Sequence, residues 1–337
     1  MNVRKIRWLV QTAFFLLVVY GVYKYAQFVY YGAVRPDFMD GFCPISGVYD
    51  IIMKIRSGVT DPFHPAAMAI MVAAIVTTFI LGKGFCSFIC PVGTIQDYIT
   101  FVRNKLSFFK KIDNFGEKIK SWKFYNFIDY SLRSIKFILL AWILYIIFQI
   151  PAQMMAMMNQ NINATADIEL FKFWIELFKG NRPVVALILA IIVLLSVIIP
   201  RFWCKYLCPL GAFYGIFNLF SFTHLRRCPE KCNNCKLCSK CIVGLKPYKS
   251  VEFNNTECTM CLDCRSACNK NAVRLQILGR EIPSLLYPAL LVGTFMGVIF
   301  LFMYSGVWHS QLSKRDEAFL ILKQGFNVKW AKELLMK

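Results

Sequence analysis

The chain has 337 residues, 57% of them hydrophobic and 17% charged, with a net charge of +20. This composition excludes an ordinary soluble domain, because the apolar excess is gathered into blocks long enough to cross a bilayer. The positive charge lies between those blocks, where it reads as a topology and lipid-surface signal rather than a nucleic-acid footprint.

Five stretches approach the roughly 20 apolar residues that a membrane helix needs: Trp8–Tyr31, Ala66–Leu81, Tyr130–Ile150, Val184–Ile199 and Leu285–Tyr304. The leader MNVRKIR looks like the start of a signal peptide, but the apolar run behind it is too long and ends in tyrosines, so it reads as an uncleaved first helix. Lys24 can snorkel from near its end. The first loop holds Cys43 in CPISG and His64 in DPFHPAA. These two are candidates for an outer-face quinone or cofactor site. Segment 104–126 is basic and aromatic and reads as interfacial.

The second span runs into GFCSFICPVG and the fourth into FWCKYLCPLG, an internal repeat offset by 118 residues. Each unit is a membrane helix followed by aromatic-C-x3-C-P-x-G, which argues for parallel duplication. The spacing places two sulfurs on one side of a helical turn. Cys86, Cys90, Cys204 and Cys208 together supply the four thiolates that one membrane-edge iron–sulfur cluster needs. The proline and glycine are expected to stop the helix and turn the backbone.

Nine of the fourteen cysteines lie between Cys228 and Cys268. Cys258, Cys261, Cys264 and Cys268 follow the C-x2-C-x2-C-x3-C run that wraps a cubane [4Fe–4S] cluster, with the fourth cysteine serving a second cluster. Cys232, Cys235 and Cys238 repeat the x2 spacing. The same logic pairs Cys232, Cys235 and Cys238 with Cys268, and Cys258, Cys261 and Cys264 with Cys241. Cys241 comes one residue early, and Ile242 and Asn269 stand where proline usually follows. Cys228 is therefore an alternative ligand to Cys241. Zinc prefers separated pairs to unbroken runs.

Charge orients the spans. Residues 83–128 hold eight Lys/Arg and three acids, and 201–283 hold thirteen and five, while 32–65 hold three against four. The positive-inside rule then puts the N-terminus and the cysteine-rich segment in the cytoplasm of an inner-membrane protein, and the tail outside. The tail, 306–337, has helical periodicity and reads as an amphipathic surface helix. Three histidines, His64, His224 and His309, argue against bis-histidine haems, and no Walker A or GxGxxG motif appears. The expected architecture is an α-helical integral membrane protein of about five transmembrane helices with an inserted small ferredoxin-like (α+β) domain holding two [4Fe–4S] clusters. Its parts are a membrane domain (1–222), the ferredoxin-like domain (223–280), a fifth span (281–305) and the tail.

Paired C-x3-C-P-x-G motifs after membrane helices, followed by a ferredoxin-like cysteine domain, resemble the NapH-type polytopic membrane ferredoxins. That family includes the membrane subunit of periplasmic nitrate reductase systems, the membrane half of the nitrous-oxide reductase regulator and the methylamine-utilisation ferredoxin. The resemblance covers residues 8–275. It implies an electron-transfer subunit linked to quinol, two cytoplasmic [4Fe–4S] clusters and a partner oxidoreductase or iron–sulfur subunit. No catalytic acid–base pair or nucleophile stands out. The alternative is a redox sensor or metalloenzyme maturation factor using the same clusters.

Overall fold

A computed structural model describes residues 3–36, 44–58, 65–106, 124–151, 166–239, 241–253 and 255–336. Cys43, His64 and most of segment 104–126 lie outside the described residues. The chain is mostly helical with one small sheet. Three helices are long and apolar enough to cross a membrane: α1 (Val3–Tyr31), α5 (Tyr125–Gln149) and α9 (Tyr287–Tyr304). The other two expected spans appear as shorter apolar helices, α3 (Pro65–Leu81) and α7 (Pro183–Ile198). Before α3 comes α2 (Pro44–Ser57); before α7 comes α6 (Ala166–Phe178), and α6 and α7 meet at an 84° bend. Large apolar side chains stay exposed along the apolar helices, among them Leu16, Ile138, Leu194 and Leu301. Helices can present such a surface to lipid because their backbone polar groups are satisfied internally.

The contacts divide the chain into two compact units, and every boundary falls inside one of the five apolar helices. The first unit takes the leading part of α1, the trailing part of α3, the leading part of α5, the trailing part of α7 and the leading part of α9.

In the first unit, α4 (Pro91–Lys105) and α8 (Pro209–Leu219) follow the two cysteine motifs. The strands β1 (Thr223–Arg227), β2 (Val273–Ile277) and β3 (Arg280–Glu281) form an antiparallel sheet in that order, with Leu225 opposite Leu275. Their inward residues Thr223, Leu225, Val273 and Leu275 are buried, as period-two alternation requires. The sheet is tied to the end of α3: Phe222 N–H donates to Phe79 O (3.0 Å) and Thr223 Oγ1 donates to Ile80 O (2.7 Å).

In the second unit the tail forms two helices, α10 (Lys314–Lys323) and α11 (Lys329–Met336), instead of one surface helix. Ala318, Ile321, Val328 and Ala331 pack with Tyr25, Phe28 and Val29 of α1 and Ile168 of α6. Trp330 Nε1 donates to Val29 O (3.1 Å), and Arg35 and Tyr25 both bond Asp167 (2.7 Å each). The apolar periodicity of the tail is therefore used for packing against its own chain.

Candidate metal centres

All thirteen cysteines among the described residues lie in the first unit, and none is in a disulfide. They fall into three quartets plus Cys228.

The first quartet comes from the repeat. Cys86 and Cys204 sit in short helical turns, Phe85–Phe88 and Trp203–Leu207, while Cys90 and Cys208 are the N-caps of α4 and α8. The two copies match down to an unusual bond: Cys90 N–H donates to Phe85 O (3.0 Å) and Cys208 N–H to Trp203 O (2.9 Å), each spanning five residues. Such π-type turns concentrate at functional sites. The helical turns stop at extended Cys90 and Cys208, as the sequence suggested, and Pro91 and Pro209 then begin a new helix at its first turn, where a missing N–H costs nothing. Gly93 and Gly211 lie against the preceding cysteine's carbonyl: a Cβ at Gly93 would meet Cys86 O at 2.3 Å, and one at Gly211 would meet Cys204 O at 3.3 Å. Gly211 N–H donates to Cys208 Sγ (3.3 Å). Each motif thus aims a helix N-terminus, with its partial positive charge, at a sulfur. Burial pushes the Cys90 thiol up to about 12, and neighbouring Cys86 and Cys208 add to the effect. Cys204 is raised by burial and then by Cys208, Cys90 and Cys86, so the four sulfurs feel one another across the repeat.

The other two quartets come from the cysteine-rich segment, whose two loops are backbone copies offset by 26 residues. Asn234 and Lys236 flank Cys235 with φ of 53° and 58°, and Met260 and Leu262 flank Cys261 with φ of 48° and 60°. Left-handed conformations at non-glycine residues cost about 1–2 kcal/mol each and persist only where the surroundings impose them. Alternation of this kind folds backbone N–H groups into a concave anion nest, a device common at iron–sulfur sites. Cys232, Cys235, Cys238 and Cys268 line one pocket together with Arg227, Lys236 and Lys270. Cys264 lies among Cys261, Cys258 and Cys241: burial raises its thiol most, and those three follow. Cys228 directly follows β1, and its N–H donates to Ala272 O (2.8 Å).

Burial differs sharply between the quartets. Cys235 is exposed, whereas Cys258 and Cys261 are buried. Among the described residues, no three His, Cys, Asp or Glu side chains converge closely enough to hold a single metal ion.

The repeat carries a further pair that the motif reading passed over. Lys83 and Arg201 are related by the same offset of 118, three residues before Cys86 and Cys204. Both are buried, at 2% and 0% exposure. Lys83 Nζ donates to Gly211 O (2.5 Å) and Thr256 O (3.1 Å), and its charge acts on both Cys208 and Cys258. Arg201 acts on Cys204 and Cys261, and donates to Ser87 Oγ (3.0 Å) and Thr259 Oγ1 (3.1 Å). Each cation therefore stands between the repeat quartet and the Cys258 quartet. A buried charge is costly unless compensated, and Lys83 bonds only carbonyl oxygens among the described residues. Four thiolates around a cluster supply the missing negative charge, so the donor sets, the nests and buried Lys83 fit iron–sulfur clusters, while Arg201 is already paired with Asp97.

Charges in the leading half of α5 also serve this unit. Lys136 Nζ bonds both oxygens of Glu257 (2.6 and 2.7 Å), and Asp129 accepts from Lys205 Nζ (2.6 Å).

Comparison with known proteins agrees with the repeat. The Fer4_5 family, described as a 4Fe-4S binding domain, matches this chain twice, at residues 63–108 and 181–227. Each match contains one C-x3-C-P-x-G motif. YccM of Escherichia coli (strain K12), a protein named for electron transport, is 30% identical over 295 residues, covering 82% of this chain and 76% of YccM. The chain belongs to this family of membrane ferredoxin-type iron–sulfur electron transport proteins. Within the family, the methylamine utilization ferredoxin-type protein MauN of Methylorubrum extorquens is 24% identical over 72% of this chain and 78% of its own length. The regulatory protein NosR of Stutzerimonas stutzeri is 27% identical over 60% of this chain and 25% of its own length. No solved structure matches.

Proposed function

We propose that the chain is a multi-pass electron-transfer subunit of the cell inner membrane that holds three [4Fe–4S] clusters and works between the quinone pool and a partner oxidoreductase. The observation that carries this reading is the succession of quartets, from exposed Cys235 through buried Cys261 to the membrane-helix ends at Cys86 and Cys204. The ligand sets are Cys232, Cys235, Cys238 and Cys268; Cys241, Cys258, Cys261 and Cys264; and Cys86, Cys90, Cys204 and Cys208. Clusters of this kind supply reversible one-electron transfer. The chain's residues do the rest. The loops wrap each site with backbone N–H groups, the starts of α4 and α8 face Cys90 and Cys208, and Lys83 and Arg201 offset negative charge where water is excluded.

A five-span topology is supported by the way α1, α3, α5, α7 and α9 alternate in giving first and last parts to the two units. The surplus of Lys/Arg in 83–128 and 201–283 supports a cytoplasmic cysteine domain and an outer tail. A quinone partner is supported by the repeat quartet, which lies where apolar helices end and a lipid-soluble carrier can approach.

The test is anaerobic mixing of purified protein with a short-chain quinol and, separately, with its quinone after dithionite reduction. The reading predicts that cluster absorbance responds to the quinone couple. A protein bleached by dithionite yet inert to quinol and quinone would favour the second reading, a redox sensor or maturation factor, which the name of the relative NosR brings forward.

A further inference from the structure

We propose that the pocket around Cys232, Cys235, Cys238 and Cys268 is the docking port for a small, soluble, acidic one-electron carrier protein. This rests on the reading of that quartet as a cluster site.

The pocket is lined by three cations, Arg227, Lys236 and Lys270, and by no carboxylate. Lys236 and Lys270 are exposed and have no carboxylate partner among the described residues, and Lys231 and Lys249 add exposed charge nearby in sequence. Glu230 is the one acid between Cys228 and Ser250. Exposed lysines so placed gain little within the fold, because solvent screens them. They do create a positive field over the one quartet whose middle cysteine reaches the surface. Tyr248 and Leu237 complete the rim with partly exposed apolar surface. A basic ring around a small apolar patch fits an acidic protein face, steering encounter and fixing orientation without a large buried area. A lipid headgroup would satisfy the same charges, but it gives no reason for the ring to be centred on exposed Cys235 and its half-buried partners. The exchange is simple: the carrier gives up one electron, the quartet's centre takes one, and no bond or proton need change.

The probe is an acidic plant-type [2Fe–2S] ferredoxin, used with the full-length holoprotein in nanodiscs of zwitterionic lipid. Equilibrium binding and stopped-flow exchange are both read as ionic strength is raised. The expected result is binding and a bimolecular rate that falls about ten-fold or more with salt. The double variant Lys249→Glu, Lys270→Glu, which leaves the strained loop around Cys235 untouched, should lose roughly that factor at low salt and show a flat salt dependence. The double variant Lys329→Glu, Lys332→Glu in α11 should behave as wild type. Dithionite, which needs no docking, should reduce all three proteins alike. Wild-type rates and salt slope in the Lys249, Lys270 variant would overturn the proposal, as would binding to anionic phosphatidylglycerol vesicles with none to the ferredoxin. A wild-type protein that dithionite cannot bleach would instead overturn the cluster reading beneath it.

Discussion

Arg201 and Asp97, 104 residues apart, form a two-pronged ion pair in the interior: Nε meets Oδ1 at 2.7 Å and Nη2 meets Oδ2 at 2.6 Å, with side chains 0% and 1% exposed. Gln11 Nε2 adds a bond to Asp97 Oδ2 (2.9 Å). The pair joins α4, which begins at the first cysteine motif, to the entrance of the second. Burial opposes ionisation of Asp97, but the Arg201 guanidinium outweighs it and holds the carboxyl below its ordinary 3.8. Removing one partner strands the other charge, so Asp97→Asn should destabilise the protein by about 3–5 kcal/mol. Because the folded value is depressed, the stabilisation is fully present above 3.8 and lost only as pH falls through the lower folded value. Unfolding in detergent should therefore show a gap between wild type and variant that is constant at neutral and mildly acidic pH. A gap that closes well above 3.8 would contradict the pairing.

Gly93 and Gly211 occupy equivalent places in the repeat but differ in clearance, 2.3 Å against 3.3 Å to the facing carbonyl. Gly93→Ala should displace the Cys86 turn and lower iron content, whereas Gly211→Ala should be accommodated by a small shift. Equal iron in both variants would show that the close approach has no bearing on metal binding.

Lys83 places a positive charge between two quartets. Replacing it with glutamine should make both nearby centres harder to reduce, lowering midpoint potentials by something on the order of tens of millivolts. Redox titration followed by EPR reads the shift, and unchanged potentials would place the ammonium's influence elsewhere.

Lys236, at φ 58°, is exposed, so backbone strain can be tested there without disturbing a core. Lys236→Gly removes a left-handed penalty of about 1 kcal/mol and should keep all iron. Lys236→Ile puts a β-branched side chain where it fits worst and should lose the iron of one quartet. Loss of iron in the glycine variant would refute the loop account.

The apolar stretches, the 118-residue repeat and the cysteine runs were legible because each depends on local spacing. The tail was legible as helical but not as a pair of helices, since periodicity does not say what a face packs against. Lys83 and Arg201 could have been found by extending the repeat one residue upstream. Asp97 could not: its role depends on a contact 104 residues away, and along its own helix it looks like any surface acid. Likewise only the fold brings Asp129, just before the third apolar stretch, to Lys205, and Lys136, inside that stretch, to Glu257. Cys43 and His64, singled out in the sequence, lie outside the described residues.

The most direct test of three cysteine-held clusters is iron and acid-labile sulfide per chain on anaerobically purified protein, with EPR, for wild type and for Cys86→Ser, Cys204→Ser. The account predicts about twelve iron in wild type and about eight in the variant, with the signals of the other two quartets kept. About eight iron in both proteins, or zinc in place of iron, would contradict it.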